Sequence, residues 1–299
     1  MTPKNTIFEQ FLAPVFQLLI DQKTLQSFYE SIDWQGAIAR IEQPNFTYPD
    51  YYRQQNFHGI EGGYLNIQAA VSYDSITQYV LPPGETMVRQ ELVTAIHTHP
   101  RRILDLGCGT GSTTLMLKQA FPNAEVIGLD LSPPMLVVAE VKAQKAGLNI
   151  EFRHGLAEAT GFPDASFDLI TASLLFHETP PSISQAILRE SDRLLTVGGE
   201  VLALDGNQKT LRQVDWLNRI FEEPYIQEYA AGSVDAWMGA AGLGAVQTQE
   251  VWWLHQITRG VKPLANATPT PASRRSAATP EALEDNDEGF LAPAFGTVA

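Results

Sequence analysis

Cysteine is all but missing from this chain, with Cys108 the only one in 299 residues. That excludes a disulfide framework and any zinc site built on cysteine pairs, and makes a reducing, cytoplasmic setting the expectation. Long hydrophobic runs are missing too. No stretch approaches the roughly 18 apolar residues of a membrane span, and the N-terminus has neither the basic start nor the small-residue cleavage site of a secretory signal. Basic residues are the third shortage, with 20 Lys and Arg against 34 Asp and Glu and a formal charge of -14. Such a field repels phosphate backbones and anionic surfaces. Nucleic acid is therefore not an expected partner, and a small neutral or apolar substrate is.

What the chain does have is a glycine-rich turn, ILDLGCGTGSTT, over Ile103 to Thr114. Ile103 to Leu106 read as a short buried strand. Gly107, Gly109 and Gly111 then make a tight turn that a ligand can approach closely, and Ser112 to Thr114 open a helix. Strand, glycine loop and helix N-terminus begin a doubly wound nucleotide-binding fold. Downstream the alternation is regular. Helices are expected over Ser112–Ala120, Pro133–Ala146 and Ser182–Leu195, and strands over Glu125–Leu129, Ile150–His154, Phe167–Ala172 and Glu200–Leu204. Gly198 and Gly199 are expected to cap the last of these helices. This pattern predicts a mostly parallel α/β sheet with helices on both faces. Helical segments over Leu211–Tyr229 and Val234–Ala241 precede two strand-like runs, Ala245–Val251 and Trp252–Thr258. So short a link predicts an antiparallel pair, because a parallel crossover needs about a dozen residues.

Upstream of residue 85 the alternation fails. Phe8, Phe11, Leu12, Val15, Phe16 and Leu19 keep helical spacing, which predicts an amphipathic helix packed on the main domain, with peripheral membrane contact the alternative. The stretch from Tyr48 to Tyr64 is rich in aromatics and glycine, and reads either as a lid over a pocket or as a structural crossover. The expected organisation is a helical and aromatic extension over 1–84, a ligand-binding domain over 85–262 and a disordered tail over 263–299.

The turn does not match a dinucleotide fingerprint. G-x-G-x-x-G requires glycine at position 112, where Ser112 stands, and the third glycine falls one residue early. Asp105, at the strand's carboxyl end, opposes a pyrophosphate and suits a cationic ligand. Asp130 closes the second strand and is placed to accept from both ribose hydroxyls. Together the two acids describe S-adenosylmethionine, which carries an ammonium group and a ribose and no phosphate. An NAD-dependent oxidoreductase is the rival that these acids disfavour.

On ILDLGCGTG, IGLDLSPPML, FDLITASLLFHE and RLLTVGGEVLALD, the chain from about Leu92 to Pro263 resembles a class I S-adenosylmethionine-dependent methyltransferase. The ubiquinone/menaquinone-biosynthesis type is the nearest-looking subgroup. The resemblance implies a Rossmann-like doubly wound seven-stranded sheet of order 3-2-1-4-5-7-6, strand seven antiparallel. It also implies that Gly107 and Gly109 meet the methionine part of the cofactor, that Asp130 holds the ribose, and that Leu131 and Ala157 lie against the adenine. Asp105 and Ser173 complete the cofactor candidates. Val197 stands where the family commonly has proline. Leu156 stands where the family has an acid for the adenine amino group.

Methyl transfer is an in-line displacement at carbon that relies on positioning, water exclusion and, for some acceptors, a base. His177 and Glu178 follow the fourth strand, where ligands sit in open α/β sheets. His177 is the first candidate base and His58, within the aromatic stretch, the second. Tyr51, Tyr52 and Tyr64 are candidates to close over cofactor or acceptor, with Glu178 beside the substrate. His97 and His99 have no apparent third ligand, so no metal is expected. A quinol-like or other lipophilic small molecule is the expected acceptor. The alternative is a protein that binds the cofactor without turnover, as an assembly or regulatory factor.

Overall fold

The computed structural model describes residues 21–57, 60–80, 83–214 and 223–264. Seven strands form one sheet: β1 (Arg102–Leu106), β2 (Glu125–Asp130), β3 (Glu151–His154), β4 (Phe167–Ser173), β5 (Leu195–Gly206), β6 (Gly244–Val251) and β7 (His255–Val261). Their order is β3-β2-β1-β4-β5-β7-β6. β1 pairs in parallel with β2 and β4, and β7 runs antiparallel to both β5 and β6. This is the expected doubly wound order with its antiparallel strand seven. The central strands are buried nearly end to end, as strands covered on both faces must be.

Among the described residues five α-helices precede β1: α1 (Gln22–Glu30), α2 (Trp34–Ile41), α3 (Asp50–Arg53), α4 (Ile67–Val80) and α5 (Glu85–Thr94). Asp21 and Asp33 cap α1 and α2 by accepting from backbone N–H groups of the first turn. These extension helices have no separate core. Trp34, Ala70 and Val71 pack with Met135, Val137 and Val138, which lie on α7 (Pro133–Lys145), the helix after β2. The expected helix over Phe8–Leu19 lies outside the described residues, as does the expected tail from residue 265 onward. α6 (Ser112–Ala120) and α8 (Pro181–Leu194) complete the parallel crossovers; α9 (Gln208–Leu211), α10 (Ile226–Ala231) and α11 (Val234–Ala240) precede the hairpin. No helix among the described residues is long and apolar enough to cross a membrane.

Two local expectations change. Gly198 and Gly199 do not cap α8, which ends at Leu194 and passes directly into β5. The β4–β5 register shifts between Phe167 and Leu169, and Gly198 takes up the extra chain at φ 80°. It is a bulge inside the strand, where only glycine is relaxed. The terminal strands are also offset, with a turn at Trp252–Leu254 between β6 and β7. Trp252 and Trp253 sit there at φ 47° and 51°, a conformation that tryptophan's strand preference conceals in sequence.

Candidate cofactor and active site

In this strand order the chain leaves β1 toward β2 on one side, while β4 lies on the other. The carboxyl end of β1 is therefore the switch point at which a cleft opens. The glycine turn sits there. A Cβ on Gly107, at φ 61°, would lie 2.6 Å from a methyl carbon of Leu175. Gly109, at φ 53°, has nothing within 4 Å of such a carbon. Conformation demands glycine at Gly109, and the bare backbone there faces the cleft.

Asp130 closes β2 beside this turn. Its Oδ2 accepts from the Gly109 N–H at 2.8 Å and its Oδ1 from the Ser132 N–H at 2.8 Å. Burial raises its pKa to about 6 against these bonds, which favour the charged form. Asp105 is buried behind the loop and does not line the cavity. Its two oxygens accept from Thr114 at 2.6 Å and Thr171 at 2.7 Å, tying β1 to α6 and β4. The expectation that it faces a cation thus meets a carboxylate whose local partners already hold it.

The cavity and its mouth together leave about 830 Å³ free of protein atoms, open solvent included. Gly107, Gly109, Asp130, Leu131, Ala157 and Ser173 line it, as do Tyr51, Tyr52, Tyr64 and Glu178. Among the lining residues without a sequence expectation are Phe57, Tyr73, Arg89 and Glu158. Rings of the extension form one wall. Phe57 stacks on Tyr64 at 5.2 Å between centroids, Tyr52 lies 5.6 Å from Phe57, and Tyr73 meets Tyr64 edge-on at 6.0 Å. Polar ties hold this wall to the sheet: Tyr51 donates to Glu158 at 2.8 Å, Tyr64 to Glu178 at 2.6 Å, and Ser132 to the Tyr64 carbonyl at 2.6 Å. Burial pushes the Tyr52 and Tyr64 phenols well above their ordinary range, so they stay protonated donors.

Arg89 is a buried cation in the cavity wall, 5% exposed. Its Nε donates to Glu85 at 2.8 Å and its Nη1 to Thr113 at 2.7 Å, and Thr113 passes a bond to Ser173 at 3.1 Å. In sequence, Glu85 and Arg89 read as an ordinary i,i+4 surface pair on a helix, so burial alone distinguishes them.

His177 follows β4 as expected but does not line the cavity. Its Nδ1 lies 2.6 Å from Asp205 Oδ1, and its Nε2 3.7 Å from Glu178. Burial opposes its charge, but Asp205, followed by Glu178 and Glu223, outweighs that and raises its pKa to about 10. The residue is an imidazolium at neutral pH, and cannot take a proton there as a free base does. A raised histidine pKa supplies stability that is full below about 6.5 and lost as pH rises through 10. His177→Gln is thus expected to be less stable by about 1.5–3 kcal/mol at pH 7, the scale of a charged hydrogen bond. That gap should close toward pH 10 in urea titrations. The second candidate base, His58, lies outside the described residues.

A second cluster braces the loop from behind. Lys142 Nζ contacts Asp74 Oδ2 at 2.6 Å and Ser112 Oγ at 3.0 Å, and Asp74 Oδ1 accepts from Thr110. This joins α4 and α7 to the glycine turn. The pair is partly exposed, so its effect on global stability is small. Asp74→Ala is expected to shift the melting point by less than about 3 °C while speeding hydrogen exchange at the Gly109–Ser112 amides. Unchanged exchange would remove this bracing role.

Residues 103–199 match a family model described as a methyltransferase domain. A demethylmenaquinone methyltransferase of Thermus thermophilus is 40% identical over 139 residues, 46% of this chain and 62% of that protein. The matched region spans about three fifths of the length of such curated relatives. An O-methyltransferase family protein of Burkholderia thailandensis has the same fold with a TM-score of 0.56 at 17% identity, covering 81% of this chain and 71% of that one. A SAM-dependent methyltransferase of Aquifex aeolicus gives 0.50 at 19% identity, covering 66% and 98%. With the sheet order, the glycine turn and Asp130 at the switch point, these likenesses place a methyltransferase domain at residues 103–199, on a sheet of the fold seen in S-adenosylmethionine-dependent methyltransferases.

Proposed function

We propose that this chain transfers the methyl group of S-adenosylmethionine to a small, lipophilic, ring-bearing acceptor of the quinol class. The observation that carries the reading is one cavity lined both by the glycine turn and Asp130 and by the rings of Tyr52, Phe57, Tyr64 and Tyr73. The residues fit the cofactor part by part. Asp130 is the acceptor for the ribose hydroxyls. The bare backbone at Gly109 and the Arg89 guanidinium suit an amino-acid moiety, Arg89 taking its carboxylate. Leu131, Met135 and Ala157 offer apolar surface to a purine.

The bound cofactor supplies an electrophilic methyl group on a sulfonium sulfur. The chain's own part is placement and exclusion of water. Aromatic rings accept the flat face of a quinol and keep the reacting region dry. Glu178, the lining carboxylate held by Tyr64, is the group that orients an acceptor hydroxyl and takes its proton. His177, paired with Asp205 behind it, is a positioning residue for Glu178. The name of the Thermus thermophilus relative makes demethylated naphthoquinols the first acceptors to test.

The test follows label from the methyl group of S-adenosylmethionine into reduced naphthoquinols and benzoquinols of graded tail length, and into a cell lipid extract. The expected result is label in the lipophilic fraction, with naphthoquinols favoured. Cofactor binding without any labelled product would instead favour the silent assembly or regulatory role. Label confined to water-soluble amines would overturn the quinol class.

A further inference from the structure

We infer that Glu158, steered by Tyr51, recognises the exocyclic amino group of the cofactor's adenine in place of the acid that Leu156 displaces. This rests on S-adenosylmethionine being the ligand of the cavity. Leu156 and Ala159 form an isolated antiparallel bridge, so Ala157 and Glu158 make the two-residue tip between them. Both tip residues line the cavity. The acid has moved two positions along the chain, and the tight turn returns it to the same pocket.

The carboxylate is half satisfied. Tyr51 Oη donates to Oε1 at 2.8 Å, while Oε2 is shut off from solvent and accepts from no group. A buried acceptor without a donor is unfavourable and signals a missing partner. The terminal torsion of glutamate is broad and twofold, so small rotations can present either oxygen to the cavity. Tyr51 is itself anchored, because its carbonyl accepts from Tyr225 at 2.9 Å. Burial, followed by the Glu158 charge, pushes the Tyr51 phenol far up, so it stays a donor throughout the physiological range. An anionic acceptor that already has one donor selects a second donor. The adenine amino group is one. The 6-oxo group of hypoxanthine, an acceptor facing a carboxylate, is repelled.

The experiment is calorimetry of S-adenosylhomocysteine and its deaminated analogue, S-inosylhomocysteine, on the full chain and two variants. The unaltered chain should prefer the amino compound by about tenfold or more, the scale of one charged hydrogen bond. Glu158→Ala should lose that preference, holding the two ligands within about twofold while binding the inosyl compound no worse than before. That last measurement shows the variant is folded. Glu158→Gln, which keeps a carbonyl acceptor, should retain part of the preference. Glu158→Ala with the original ratio, or no preference in the unaltered chain, overturns the assignment while leaving the cofactor reading intact. Failure of the unaltered chain to bind S-adenosylhomocysteine at all overturns both.

Discussion

Exchanging Asp130 for asparagine is expected to weaken binding of S-adenosylhomocysteine about 100-fold, because two hydrogen bonds to a charged acceptor are worth roughly 3 kcal/mol together. Asparagine keeps the shape and one carbonyl oxygen. Its amide group would turn a donor toward either the Gly109 or the Ser132 N–H, where the carboxylate now accepts. The substitution therefore disturbs the loop as well as the ribose contact. Asp130 has a raised pKa of about 6, which adds a pH signature. Ribose hydroxyls bind the carboxylate in preference to the acid, so affinity should be flat above pH 6 and fall as pH drops below it, approaching tenfold per unit. Asp130→Asn should show no such slope. Calorimetry from pH 5 to 8 checks both, and a flat profile in the unaltered chain would remove Asp130 from ribose recognition.

Arg89→Met is expected to cost about 3–5 kcal/mol of stability, because it leaves Glu85 as a buried charge without its ion-pair partner. Thr77, donating at 2.7 Å, would remain as a side-chain partner of that carboxylate. In a domain of this size the loss corresponds to a fall in melting temperature of roughly 10 °C. Glu85→Gln combined with Arg89→Met should recover part of it, since two neutral groups replace an orphaned charge. Binding separates the structural role from the proposed one. Methionine makes no bond to a carboxylate, so S-adenosylhomocysteine should bind more weakly in both variants. 5′-Methylthioadenosine, which lacks the amino-acid part, should bind nearly as before. Equal losses for both ligands would confine Arg89 to holding the fold.

Some of this architecture is determined locally and is legible in sequence. β1, the glycine turn and the start of α6 follow one another within Arg102–Ala120, so hydrophobic pattern and backbone freedom specify them without reference to the rest of the chain. Asp130 is legible for the same reason, since a strand's last residue lies at the sheet edge wherever the sheet stands. The short link before β7 restricted the last pair to antiparallel pairing.

Tertiary structure alone decided what lines the cavity. Tyr51 reaches Glu158 across 107 positions and Tyr64 reaches Glu178 across 114, contacts that carry no period in sequence because packing of the extension on α7 sets them. Asp105 and His177 lie at the expected strand ends, yet side-chain partners turn them away from the cavity: two threonines in one case and Asp205 in the other. Arg89 went unread because an i,i+4 ion pair looks alike on a wet surface and in a core. Sequence thus determined the strand order, the glycine turn and the carboxylate at the end of β2, whose positions follow from local pattern. Burial and long-range packing decided which charges line the cavity, and only the folded chain brings those groups together.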